Sequence, residues 1–168
     1  MYFDLGEYGK AQESYRKALA FIGSEKFSPS WVTLLNVAIV RTRAVQGGRE
    51  EPAEDLARAF AANRNRGFAG WIAQYIAEIL LRREGEDFAE AEKWARRALE
   101  LNREGGMRLL LGRDYLLLAG MEKRRRNVEA AKGHLQQAME VFQDCGTAGY
   151  LQKAKEEWIR LASLSLDK

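Results

Sequence analysis

Cysteine is almost missing from this chain: Cys145 is the only one in 168 residues. A single thiol excludes an intrachain disulfide framework and a cysteine-rich zinc site, and it suits a reducing compartment. Histidine is as scarce, His134 standing alone next to the apolar Leu135, with no convergent partner in the sequence for acid or base work. Charge of one sign is lacking too. Lys and Arg number 27 against 24 Asp and Glu, an excess of +3 spread along the chain, so the basic stripe that nucleic acid demands is not expected. The longest apolar runs, WVTLLNVAIV at 31–40 and WIAQYIAEILL at 71–81, are too short or too polar to span a bilayer and read as buried helices. The opening MYFDLGEYGK has no basic segment followed by an apolar run, so no signal peptide is expected. A cytoplasmic protein without a membrane partner is the reading. No Gly-rich phosphate loop, HExxH or Gly-x-Ser-x-Gly element occurs. Catalytic residues, a metal and a cofactor are therefore not expected, and carboxylates such as Glu84, Glu86, Asp87, Glu90 and Glu92 are read as helix caps and solvated faces.

What is present is a core and a period. Hydrophobic residues make up 46% of the chain and charged residues 30%, enough apolar surface for a folded domain. The stretch DFAEAEKWARRALEL, 87–101, puts Ala91, Ala95 and Ala98 on one helix face. Two other stretches share its spacing of an apolar residue, alanine three on, and alanine seven further. The triplets are Tyr8, Ala11, Ala18; Phe88, Ala91, Ala98; and Val128, Ala131, Ala138. Their first alanines lie 80 (91 − 11) and 40 (131 − 91) residues apart, which predicts a helical repeat of about 40 residues with one copy between.

The chain divides accordingly into units at 1–24 (partial), 28–65, 68–103 and 105–143, with a closing helix at 147–166. The first unit begins inside a helix pair, as expected for a piece of a longer protein or an atypical cap that could self-associate. Ser28 with Pro29 starts a helix reaching Gln46, apolar nearly all round and so packed on several sides. Pro52 opens its partner, where Ala53, Leu56, Ala57, Phe60 and Ala61 keep helical spacing. The segment 63–68 reads as a turn, followed by a helix from Gly70 to Glu84 that Gly85 ends. Asp87 with Glu90 forms a capping box, Met107 to Arg125 is the next helix, Asn127 caps its successor, and Thr147 caps the last.

These helix pairs resemble the tetratricopeptide repeat family over nearly the whole chain. Tyr115, Leu118 and Ala119, followed by Val128, Ala131, Leu135 and Ala138, match its aromatic, large-then-small and alanine positions; Gly6, Tyr8, Ala11, Tyr15 and Ala18 match its second half. Ile79 stands at the small position of the unit 68–103, and the unit 28–65 fits by spacing more than by motif. The resemblance implies an all-α, right-handed antiparallel helix-pair solenoid. It also implies a non-catalytic interaction scaffold whose first helices line a concave groove.

On that geometry the groove residues are Leu35, Ala38 and Thr42; Ile76, Leu80 and Arg83; and Arg113, Leu116, Gly120 and Lys123. The groove would be apolar at one end and basic at the other, suited to a peptide with an apolar anchor and an acidic part. The Lys and Asn set of the family's carboxylate-clamp members is missing. The run Lys123, Arg124, Arg125, Arg126 reads as a solvated turn at a helix C-terminus, where cations are favoured. A second reading makes the chain a ligand- or partner-sensing regulatory segment of a larger bacterial signalling or transcription-regulating protein.

Overall fold

The computed structural model describes residues 2–24, 29–48, 51–83 and 88–164. Among these the chain is helical throughout, with no strand. A 3-10 turn at Phe3–Leu5 precedes α1 (Tyr8–Ser24), α2 (Pro29–Val45), α3 (Ala53–Ala62), α4 (Arg66–Leu80), α5 (Phe88–Glu104), α6 (Arg108–Arg124), α7 (Val128–Asp144) and α8 (Ala148–Leu164). The helices α5 to α8 are each 17 residues long and begin 20 residues apart (108 − 88, 128 − 108, 148 − 128).

The regular step comes from the turns. At five of them an N–H, from Glu7, Gly48, Met107, Asn127 or Thr147, donates to the carbonyl five residues back at 2.9–3.0 Å. The residue before each donor is left-handed, with φ between 62° and 76°. This is the Schellman ending, which satisfies carbonyls at the helix end and reverses the chain in few residues. Glycine takes the left-handed position at 6, 47, 106 and 146, and Arg126 takes it at the fifth.

Two compact units form, residues 1–94 and 95–168. In the first, α2 packs against α1, α3 and α4, which is why it is apolar on nearly every side. Its Leu34, Val37, Ala38 and Ile39 are buried, as are Ile72, Ala73, Ile76 and Ala77 of α4. In the second, Tyr115 of α6, Ala138 and Phe142 of α7 and Ala154 of α8 pack together. Beside them Ala119, Ala131, Leu135 and Leu161 form a second apolar cluster. The repeat alanines sit where helices meet: Ala91, Ala98, Ala131 and Ala138 have no exposed surface and Ala11 has 2%. Ala18 is half-exposed.

Helix boundaries follow the sequence reading within a few residues, with one clear exception. Helix α4 begins at Arg66 rather than Gly70, because the Asn65 side chain accepts from the Gly67 N–H at 2.9 Å and so caps it. The expected turn at 63–68 is thereby shortened. Asn127 caps α7 as its sequence suggests, accepting from the Ala130 N–H. The Thr147 hydroxyl instead donates to the Phe142 carbonyl at 3.2 Å, closing α7. The expected roles of Ser28, Gly85 and Asp87 fall outside the described residues.

Candidate interaction face

In the first unit α2 and α4 lie side by side and run parallel. At the start of α2, the Ser30 hydroxyl accepts from the backbone N–H groups of Arg64 and Asn65 at 3.3 and 3.2 Å, just before α4. Next to it Trp31 meets Phe68 edge to face. Towards the ends of the same helices, the Arg41 guanidinium donates to the Glu78 carboxylate at 2.5–2.6 Å. In the second unit side-chain contacts link α6 to α8. Arg113 stands 6.0 Å from the Tyr150 ring centre near the helix starts, and Lys123 at the end of α6 reaches Glu157 in the middle of α8 at 3.0 Å. The pairs 31/68, 41/78 and 113/150 share a separation of 37 residues (68 − 31, 78 − 41, 150 − 113).

Arg41 is the most enclosed charge described in the first unit. Its side chain is 5% exposed and lies between two rings, 3.4 Å from the centre of Phe3 and 4.3 Å from that of Tyr75. The carboxylate supplies charge balance and the rings offer their negative faces, so burying the guanidinium is tolerated. In the second unit α5 is tied to α6 by two hydrogen bonds. Asn102 donates to the buried Asp114 at 2.6 Å, and Arg103 donates to the Tyr115 hydroxyl at 3.2 Å.

The residues expected to line a groove are placed in two ways. Leu35, Ala38, Thr42, Ile76 and Leu80 are buried, none above 8% exposed; Thr42 donates its hydroxyl to the Ala38 carbonyl of its own helix. They pack helices together and offer almost no surface to a ligand. Arg83, Arg113 and Leu116 are half-exposed, while Gly120 and Lys123 are exposed. Of the nominated positions, Arg113, Leu116, Gly120 and Lys123 therefore form the candidate face on α6, beside α8.

Electrostatics on this face centre on Glu157. Partial burial opposes its ionisation, but the hydrogen bond and charge of Lys123, with the same from Arg160, outweigh burial and hold the carboxyl below its usual range. His134, on α7, tilts against Tyr115 at 6.1 Å. Burial pushes its pKa down; Glu122 works against that and Arg96 adds to it. Among the described residues no group of three His, Cys, Asp or Glu side chains is arranged to hold a metal. No helix described is long and apolar enough to cross a membrane.

Three features went unread in the sequence. Gly112 lies where α6 approaches Phe142, and its signal was the spacing Leu111, Gly112, Tyr115. Arg126 holds a left-handed turn position, marked by lying 20 residues from both Gly106 and Gly146. The Arg41 to Glu78 pair had no local signal. No family model, curated protein or solved structure matches the chain. The class that stands on these observations is an all-α protein of short-turned helices.

Proposed function

We propose that the chain is a non-catalytic protein-interaction module. It is a tetratricopeptide-like, right-handed solenoid of antiparallel helix pairs that holds a peptide against its first helices. The observation that carries this reading is the parallel, side-by-side packing of α2 with α4, with side-chain links joining α6 to α8 in the same order. Helical repeats stack in this way, each unit burying its neighbour's apolar face. The spacing Leu111, Gly112, Tyr115 on α6 also fits the leucine, glycine and tyrosine of the tetratricopeptide pattern.

The ligand is a peptide with an apolar anchor for Leu116 and an acidic part for Arg113 and Lys123. A cytoplasmic setting agrees with the free Cys145. A peptide-display selection against the chain tests the proposal. Enriched sequences should combine an aliphatic or aromatic residue with Asp or Glu, and should lose affinity for Arg113→Glu/Lys123→Glu. Enrichment that ignores both substitutions would remove the assignment.

A further inference from the structure

The longest run of basic residues in the chain lies at one turn. Lys123 to Arg126 ends α6 and enters the turn to α7. Arg160 of α8 joins this run because it shares the Glu157 carboxylate with Lys123, at 2.6 and 3.0 Å. Here the Glu157 carboxylate is held by Lys123 and Arg160, and Glu122 is held by Arg125 at 3.3 Å.

Within this patch Arg126 is an anomaly. It is exposed and has φ 62°, the only non-glycine residue with positive φ among the described residues. The four other turns of the same hydrogen-bonding pattern carry glycine there. A side chain costs stability in this conformation, whereas glycine adopts it freely. No hydrogen bond made by the Arg126 side chain offsets that cost in the turn itself, where the backbone N–H of Arg126 already donates to the Lys123 carbonyl. Strained backbone of this kind gathers where a side chain is used.

We infer that the turn between α6 and α7 is a docking surface for an acidic peptide segment, with Arg126 as the contact that stability is given up to keep. The occupant is a protein carrying consecutive carboxylates, because planar guanidinium groups pair with carboxylates in a bidentate manner. The patch lies past the end of the candidate face on α6. It would receive the acidic part of the ligand proposed above, and it rests on that reading for the ligand's class.

The test separates stability from binding in one substitution. Arg126→Gly relieves the backbone and removes the charge, so the melting temperature should rise by about 2–4 °C. A fluorescent peptide of eight glutamates around one leucine, followed by anisotropy in low salt, should bind roughly three- to ten-fold more weakly to the variant. Arg126→Glu should weaken it further. Undiminished affinity of Arg126→Gly, or failure of the peptide to bind the wild-type chain, overturns the inference. Phosphatidylserine vesicles or a DNA duplex bound more tightly than the peptide, with the same dependence on Arg126, overturns it in favour of a general anion surface. If Arg113→Glu weakens the peptide and Arg126→Gly does not, the groove stands and the turn does not; the reverse result keeps the turn and removes the groove.

Discussion

Gly112 should be the least replaceable glycine described in the second unit. A Cβ at this position would lie 2.5 Å from Cε1 of Phe142 and 2.9 Å from its Cδ1 and Cζ. The ring cannot simply recede. It has no exposed surface and stacks on Tyr150 with centres 5.1 Å apart and planes 19° from parallel, so any shift is passed to α8. Overpacking of this kind costs about 1–3 kcal/mol. Replacing glycine by alanine inside a helix returns about 0.5–1 kcal/mol, leaving Gly112→Ala about 0–2.5 kcal/mol less stable than the parent. Gly120→Ala, on the same helix, is the control: a Cβ there meets nothing within 4 Å, so the backbone gain alone should remain. Urea denaturation followed by circular dichroism would read both. The two variants should differ by about 1–3 kcal/mol in opposite directions from the parent, and the difference should shrink when Phe142→Leu opens the site. If Gly112→Ala proves as stable as Gly120→Ala, the close approach of α6 to α7 is refuted.

Ala91→Trp and Ala131→Trp place an indole where no surface is exposed; each should lose more than about 1–3 kcal/mol, and an unchanged melting temperature would contradict the repeat register. Arg41→Ala removes the guanidinium from between Phe3 and Tyr75 and from Glu78, with an expected loss of roughly 2–4 kcal/mol. Arg41→Lys should recover little of it, since an ammonium lacks the planar fork, and a denaturation curve unaffected by either change would argue against the pair. Because burial lowers the pKa of His134 in the folded chain below its ordinary 6.5, the unfolded chain binds the proton first as pH falls. The stability this gives is complete above pH 6.5 and is lost between 6.5 and the lowered value. His134→Gln should flatten that part of the stability profile, and an unaltered slope between pH 7.5 and 5.5 would exclude the effect.

The helices were legible because their determinants are local. An alanine every few residues on one face is needed wherever two helix axes come close, so Ala91, Ala98, Ala131 and Ala138 declared both the helices and their buried side. Glycines at 47, 106 and 146 declared the turns, since a left-handed residue is required there. The turn at Arg126 was legible from its basic run and from Asn127, but its left-handed residue was not, since arginine stands where the other turns have glycine. Helix α4 was misplaced at its start because Asn65 looks like one more polar loop residue until its side chain is seen on the Gly67 N–H.

The candidate face was harder to read, for a reason rooted in packing. A spacing of i, i+3, i+7 marks one face of a helix without saying whether that face meets another helix or a ligand. For α2 and α4 the nominated faces meet helices: Leu35, Ala38, Thr42, Ile76 and Leu80 are all buried. For α6 the corresponding positions keep charge or partial exposure at Arg113, Leu116 and Lys123, and a long cation seldom serves as core. At the nominated positions charge thus went with exposure on α6, and apolarity with burial on α2 and α4. Arg41 sets the limit of that rule, because Glu78, Phe3 and Tyr75 together allow a guanidinium to be buried. Arg41 pairs with a carboxylate 37 positions on, and Arg113 stands beside the Tyr150 ring. For Arg41 it is its partners, rather than the cation itself, that allow the charge to be enclosed.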